Sequence, residues 1–579
     1  MDFVKGSRTR FLAIAILAIM GVFFARLFYI QIIQHEYYTL RGDVEYIKQF
    51  TLHAQRGEIY ALENDEPVKL VMNETVYSVV ADPKVVTDKQ KVMDVINRIA
   101  GGNTRKDFGK YLDMKNSRYQ VLATKISRTQ AEMMKKENLA GIRFEAISQR
   151  VYPEGQLASQ VLGFVDAQGE GKYGFEQFNN TALKGRDGLL ETVTDVREIP
   201  LTIGDKNINT PAVDGKDTVL SIDRGIQAKV EQTLLAAAER TKAKHVSAIV
   251  MDPNSGRVLA MANMPTYDPG KLNEVSDVAL FNNQTISSPY EVGSVAKAFT
   301  ITAGLDKGVI APDTTYNNTG PVVIDGWPIN NADRTRKLGT TTMQDALDWS
   351  LNTGMVNITE RLGSGGINKA ARTTMYNYFH DKFRLGQTTG IELANEAPGT
   401  IISPDEQQGN AVKYSNMSFG QGMDLTMAQT TAAFCAVVNG GTFYAPTVVA
   451  GYMDGENYQR IAVKAADNHV ISANASAQAR QMIHQAHYAT YNPNDRSGYY
   501  MGGKTGTSET IDPKTGNYRN DETIATYLGF GGNNPEKPAY VIMTNVAGGG
   551  NFGGGTDAKP IFNEISNWMI DYLKLQPKG

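Results

Sequence analysis

Hydrophobic and polar positions divide the chain into three textures. Phe11 to Ile33 is an almost unbroken apolar run, long enough to span a bilayer. Residues 34 to about 220 alternate short β-rich runs, such as Val76-Tyr77-Ser78-Val79-Val80, with Gly and turn signals. Two helices are predicted there, Lys89 to Ala100, ended by Gly101-Gly102, and Arg128 to Asn138. From about Val219 the pattern changes. Ile226, Val230 and Leu234 mark one face of a helix over Gly225 to Thr241. Two apolar runs, His245 to Met251 and Arg257 to Asn263, flank Asp252-Pro253-Asn254-Ser255-Gly256 and read as a hairpin. Ser294 to Lys307 is predicted helical, with Gly308 as its stop. Met343 to Leu362 is predicted helical with a break near Ser350 to Gly354, and Met427 to Val438 is a helix stopped by Asn439-Gly440-Gly441. Ala525 to Phe530 and Ala539 to Asn545 are late strands, and Gly548 to Gly555 reads as a flexible loop. A helix, antiparallel strands and further helices imply a sheet wrapped by helices.

Composition narrows this picture. At 579 residues the chain should hold two to four domains. The formal net charge of −3 gives no reason to expect nucleic acid as a partner. One cysteine, Cys435 in an apolar helix, excludes an internal disulfide and reads as a small core residue. His484 and His487 are spaced i, i+3 without an evident third ligand and read as surface or packing residues; no metal or cofactor is expected. Lys5, Arg8 and Arg10 precede the apolar run and favour a cytoplasmic N-terminus. No small-residue cleavage site closes the run, so a retained single-pass anchor is expected, with everything beyond about residue 34 outside the cytoplasm. Arg26 within the span either snorkels to the interface or meets another membrane protein.

Three short motifs carry chemistry. In Gly293-Ser294-Val295-Ala296-Lys297, Ser294 and Lys297 share one helix face, so a neutral lysine could take the serine proton. At the first helical turn the Ser294 N–H sits where an oxyanion is stabilised. Ser-x-x-Lys alone is weak. Ser350-Leu351-Asn352, at the helix break, would present a hydroxyl and an amide able to hold a peptide group. Lys504-Thr505-Gly506-Thr507 follows a strand signal; its lysine and hydroxyls form a seat for a carboxylate, Gly506 admits substrate to the backbone, and the Thr507 N–H could complete an oxyanion hole with that of Ser294. Two look-alikes are set aside. Lys514-Thr515-Gly516 lies in polar turn chemistry. Gly498 to Thr505 satisfies a phosphate-loop pattern, but a polar loop, Ser508 to Glu522, is expected after it instead of a helix.

In this order the motifs resemble those of the class B penicillin-binding proteins, the membrane-anchored peptidoglycan D,D-transpeptidases. The resemblance spans nearly the whole chain. It includes Arg56-Gly57-x-Ile59, Arg150-x-Tyr152-Pro153, Gly163, Gly171-x-x-Gly174-x-Glu176, Gly185-x-x-Gly188 and Phe419-Gly420-Gln421-Gly422. The chain departs from the family pattern at Ala61, usually Asp, and Val292, commonly Pro. The resemblance implies an α+β multidomain chain: cytoplasmic tail 1–10, transmembrane anchor 11–33, an elongated mixed α/β pedestal (dimerisation-like domain) 34–220, and a penicillin-binding, serine β-lactamase-like transpeptidase domain 221–579 with an antiparallel sheet flanked by helices. The compact pedestal and the wording around Ser294 look more like the division-type members than the elongation-type ones.

The implied mechanism is acyl transfer. Ser294 is the nucleophile and Lys297 the general base. Ser350 relays a proton, Asn352 grips the stem peptide, Lys504 with Thr505 and Thr507 holds the terminal D-alanine carboxylate, and Gly506 completes the substrate-binding set. For Lys297 to act, its pKa must fall by about three units, worth about 4 kcal/mol. The implied partners are stem-peptide donor and amine acceptor, β-lactam antibiotics, the membrane, a lipid II-polymerising glycosyltransferase of the SEDS class and divisome proteins. The other readings are an elongation-type transpeptidase, a β-lactamase or β-lactam-sensing receptor, and a non-catalytic wall-assembly scaffold. The single anchor, the long pedestal and Ser-x-Asn argue against the lactamase and the sensor; the intact catalytic set argues against the scaffold.

Overall fold

A computed structural model describes residues 5–38, 47–193, 208–490, 495–511 and 518–577. The chain forms two compact units, Met1–Arg56 with Lys184–Gly215, and Gly57–Leu183 with Lys216–Gly579. The first contains a helix over Arg8–Ile33 that is long and apolar enough to cross a membrane. Phe11, Ile14, Leu17, Phe23 and Phe24 all lie exposed on it, an arrangement suited to lipid and unsuited to water. The same unit holds a three-stranded antiparallel sheet with Gly188–Val193 between Ile47–Leu52 and Ile208–Thr210.

In the second unit, a seven-stranded sheet is built on Ile59–Glu63 and Glu66–Ala81. Thr218–Asp223 pairs in parallel with Ile59–Glu63 and antiparallel with Val449–Asp454, so the residues on either side of the expected boundary at 220/221 share one strand. The family-motif residues Arg150 and Glu176 meet as a buried ion pair at 2.8 Å, with Arg150 Nη1 also donating to Asn73 Oδ1 at 2.9 Å. Such a pair fixes geometry because either partner alone would be a buried uncompensated charge.

The remainder is organised on one antiparallel sheet. Its elements, in chain order, are α1 (Arg224–Thr241), β1 (His245–Met251), β2 (Val258–Met264), α2 (Lys297–Asp306), α3 (Met343–Asp348), α4 (Asn352–Leu362), α5 (Met427–Val438), α6 (Ala473–Thr490), β3 (Tyr500–Ile511), β4 (Tyr518–Gly532), β5 (Tyr540–Ala547) and α7 (Lys559–Tyr572). The strand order is β2-β1-β5-β4-β3, which leaves β3 at an edge. Strand alternation sorts the two faces. Val246, Ala248 and Val250 turn to α1 and α7, packing with Ile226, Val230, Leu234, Phe562 and Ile565. Ile249, Met251, Leu528 and Phe530 turn to the opposite core, with Val295, Phe299, Phe434 and Ile483. Asp223 caps α1 by accepting from the Ile226 N–H at 3.0 Å, which explains why the helix starts at Arg224.

Two expectations change. The first turn of the Ser294 helix is a 3-10 turn, Gly293–Ala296, and the α-helix begins only at Lys297. The polar loop expected from Ser508 is instead a strand hairpin: β3 runs on to Ile511 and β4 starts at Tyr518. Before Ala525 β4 has no pairing with β5 and, among the described residues, pairs only with β3; cross-strand hydrogen bonds hold this two-stranded ribbon, and its polar sequence hides it. His487 is 1% exposed and His484 half-buried, in keeping with the packing alternative of their surface-or-packing reading. Lys514-Thr515-Gly516 lies outside the described residues. Cys435 is buried in α5, where burial pushes its thiol pKa well up.

Candidate active site

The turn bearing Ser294 is wedged between two backbones, and glycines make the fit possible. Gly293 has φ +60 and its N–H donates to the Gly420 carbonyl at 3.0 Å. Gly420, at φ +95, is so close that a Cβ there would fall 2.8 Å from Gly293 Cα and into its carbonyl oxygen. On the other side a Cβ at Gly506 would lie 2.5 Å from the Val292 oxygen. A Cβ at Gly293 would lie 3.2 Å from Thr507 N, so the backbones flanking Ser294 and Thr507 are neighbours. The Gly554 N–H donates to Thr507 Oγ1 at 3.2 Å. The glycine-rich piece read as a flexible loop thus packs its Gly554 against β3.

Lys297 is fully buried, and its Nζ donates to the Ser350 carbonyl at 2.6 Å and to Ser350 Oγ at 3.0 Å. Burial, reinforced by the positive charge of Lys504, pulls its pKa well below 10.5. Among the described residues no hydrogen bond joins Lys297 to Ser294; the amine is turned to Ser350. Ser350 sits at the break between α3 and α4 with φ +54, a left-handed conformation a serine adopts only under constraint. Asn352 opens α4 and its Nδ2 donates to the Asn330 carbonyl at 2.8 Å.

Lys504 is 5% exposed on β3, with Nζ 3.2 Å from the Thr505 carbonyl and 3.4 Å from Thr505 Oγ1. Burial takes its pKa down to about 8, against the opposing pull of Asp348. Two buried ammonium groups repel, so the pair favours states carrying one charge. Thr507 is exposed beside Ser294's turn. The structure therefore links Ser294 to Gly506 and Thr507 through backbone contact, and Lys297 to Ser350 and Lys504 through hydrogen bonds and charge, as one wall, with Asn352 at the start of α4.

Sequence reasoning missed the support of this wall. Glu291 is 6% exposed and accepts from the Gly422 N–H at 2.5 Å and from the Tyr518 hydroxyl at 3.1 Å. It ties the Phe419-Gly420-Gln421-Gly422 loop to the start of β4. Burial raises its carboxyl pKa. Tyr290 and Leu425 exchange backbone hydrogen bonds at 3.1 and 2.9 Å, holding the same loop against the nucleophile turn. The signal that the sequence offers is a carboxylate, Glu291, set between Tyr290 and Val292 three residues before Ser294. The phosphate-loop look-alike is removed by geometry, because Gly498 to Thr505 runs into a strand and opens no helix. Among the described residues no group of three or more His, Cys, Asp or Glu is placed to hold a metal ion.

Comparison with known proteins matches two family models. Residues 246–567 match the penicillin binding protein transpeptidase domain, and residues 51–220 the penicillin-binding protein dimerisation domain. The chain is 30% identical over 563 residues to stage V sporulation protein D of Bacillus subtilis, covering 96% of this chain and 84% of that one. It is 25% identical over 581 residues to the peptidoglycan D,D-transpeptidase FtsI of Escherichia coli, covering 97% and 91%. Among solved structures it is similar to penicillin binding protein 3 of Mycobacterium tuberculosis complexed with aztreonam, with TM-score 0.68, 25% identity and coverage of 92% and 98%.

Proposed function

The chain belongs to the penicillin-binding protein transpeptidases, and from that premise we propose how its own residues divide the work. It cross-links peptidoglycan as a D,D-transpeptidase. Neutral Lys297 takes the Ser294 proton as Oγ attacks the penultimate D-alanine carbonyl of a stem peptide. The N–H groups of Ser294 and Thr507 receive the oxyanion. Ser350 passes the proton to the departing D-alanine amine, and the peptide C–N bond is replaced by an ester on Ser294. An acceptor amine then attacks that ester, forms the cross-link and frees the serine. Lys504, Thr505 and Thr507 hold the donor carboxylate, with Gly506 letting the peptide lie close. Asn352 holds the stem-peptide backbone. The position of β3 at the edge of the sheet suits an extended peptide adding as a strand.

The observation that supports this most is the environment of Lys297: fully buried, bonded to Ser350, and facing the charge of Lys504. These are the conditions under which a lysine amine is free to act as a base. Residues 11–33 anchor the chain with its N-terminus in the cytoplasm, 34–220 form the pedestal, and 221–579 carry the chemistry outside. The site serves septal wall synthesis beside a SEDS-class glycosyltransferase and divisome proteins, and β-lactams acylate Ser294. Similarity to stage V sporulation protein D favours a second setting, cross-linking during sporulation, with the same chemistry.

A D-alanyl thioester of a mercapto acid, offered with an amine acceptor, should give aminolysis product and free thiol with the full chain in detergent and none with Ser294→Ala. Hydrolysis alone, unaffected by acceptor, would contradict transpeptidation.

A further inference from the structure

β3 presents Lys504 from a weak stretch of strand. Gly502 and Gly503 precede it, and glycines give a strand no side chain to pack and much conformational freedom. β4 fills the gap. Phe530, directly opposite Gly502, lays its ring there: a Cβ on Gly502 would fall 2.6 Å from Phe530 Cζ. Tyr527, opposite Thr505, sends its ring diagonally across Gly503, where a Cβ would fall 2.6 Å from Tyr527 Cζ. Aromatic rings over strand glycines restore packing and pin register.

Phe530 ends in apolar core, but Tyr527 carries a hydroxyl into a buried place, where it must be satisfied. It meets His487 Nδ1 of α6. His487 Nε2 meets Asp495 Oδ2 at 2.5 Å, in the segment that leads into β3. His487 and Asp495 have side chains 0% and 3% exposed. One tautomer serves both contacts, with Tyr527 donating to Nδ1 and the Nε2–H donating to Asp495 Oδ2. Lys559, largely buried on α7, lies within the field of the Asp495 carboxylate. The chain of bonds therefore starts on β4, crosses β3 at Gly503, reaches α6 and returns to the approach of β3. In a low-dielectric interior such short, buried contacts are strong and directional.

We infer that Tyr527, His487 and Asp495 are positioning residues that hold β3 so that Lys504 meets the donor carboxylate, and thereby set the preference for ligands that carry one. The inference rests on the role proposed above for Lys504. None of the three touches substrate. They act through the placement of one strand, so their loss should fall on carboxylate recognition and spare the nucleophile.

The test compares two thioester donors, one ending in a free carboxylate and one in the carboxamide, on the full chain in detergent. Acylation rates give a carboxylate preference for each variant. Lys504→Ala should abolish the preference. Tyr527→Phe and His487→Leu should reduce it at least about fivefold, through the carboxylate donor, while the carboxamide rate stays within about twofold. His487→Gln, which can still accept from Tyr527 and donate to Asp495, should retain most of it. The carboxamide rate reports an intact fold in every variant. Equal loss on both donors in Tyr527→Phe, or no change there while Lys504→Ala abolishes the preference, would overturn the positioning role. If Lys504→Ala leaves the preference intact, the assignment of Lys504 fails first and the inference with it.

Discussion

Lys297→Met should slow acylation of Ser294 about 10³-fold, the scale of losing a positioned general base, while leaving a folded protein more stable at neutral pH. The reasoning starts from burial. Lys297 is 0% exposed, and desolvation together with Lys504 holds its pKa far below 10.5. A neutral amine so placed can accept the serine proton; a thioether of similar length cannot. The stability effect has the opposite sign. Between the depressed folded pKa and 10.5 the unfolded chain binds a proton that the folded chain does not, so stability rises with pH across that window. Below the folded pKa the burden is full, because the folded chain must then bury the cation. Lys504 adds a rise of the same sign between about 8 and 10.5. Methionine at 297 removes the first contribution and leaves the second. Thermal melts from pH 6 to 10 should therefore rise less steeply in the variant than in the parent, and the variant should melt higher at pH 7. The acylation rate of the parent should climb with pH as Lys297 loses its proton. An unchanged acylation rate in Lys297→Met would remove the lysine from the mechanism.

Gly420→Ala is the second large effect. At φ +95 any side chain is strained, and the added Cβ would drive into the Gly293 carbonyl. The hydrogen bond from the Gly293 N–H to the Gly420 carbonyl lies in the same contact, so relief means moving the turn that carries Ser294. Destabilisation of about 3 kcal/mol is expected from strain plus backbone overlap. A shift of the turn by about 1 Å should lower acylation about 10²-fold. Gly440→Ala is the control. It has φ +99 but open space around it, so it should lose about 1 kcal/mol from strain alone and acylate at the parent rate. Melting curves and penicillin acylation rates of the two variants side by side separate strain from displacement of the nucleophile.

Much of this was legible in the sequence because it is written in local patterns. The apolar stripe Ile226, Val230, Leu234 predicts α1, and Met427 to Val438 is an apolar helix with matching bounds. The two runs around Asp252-Pro253 predict β1 and β2. The three motifs name their residues, and the break at Ser350 is visible in the helical pattern. What was hidden is long-range or conformational. Glu291 and Tyr518 are 227 residues apart, and no periodicity links them. The positive φ of Ser350 leaves no mark, since serine is not a residue that signals one. The ribbon of β3 and β4 beyond the sheet is polar even where it is buried, as at Ser508, so a hydrophobic pattern cannot reveal it. Gly502 and Gly503 enter the sequence reading only through the phosphate-loop pattern, whereas in β3 they give room for the rings of Phe530 and Tyr527. His487 read as unremarkable because its partners, Tyr527 and Asp495, come from other elements.

The most direct test of the central claim is to incubate the full chain with a penicillin, digest it, and locate the covalent adduct by peptide mass spectrometry. The account predicts a stable penicilloyl ester on the peptide containing Ser294, absent from Ser294→Ala. An adduct on another residue, or none on folded protein, would contradict it.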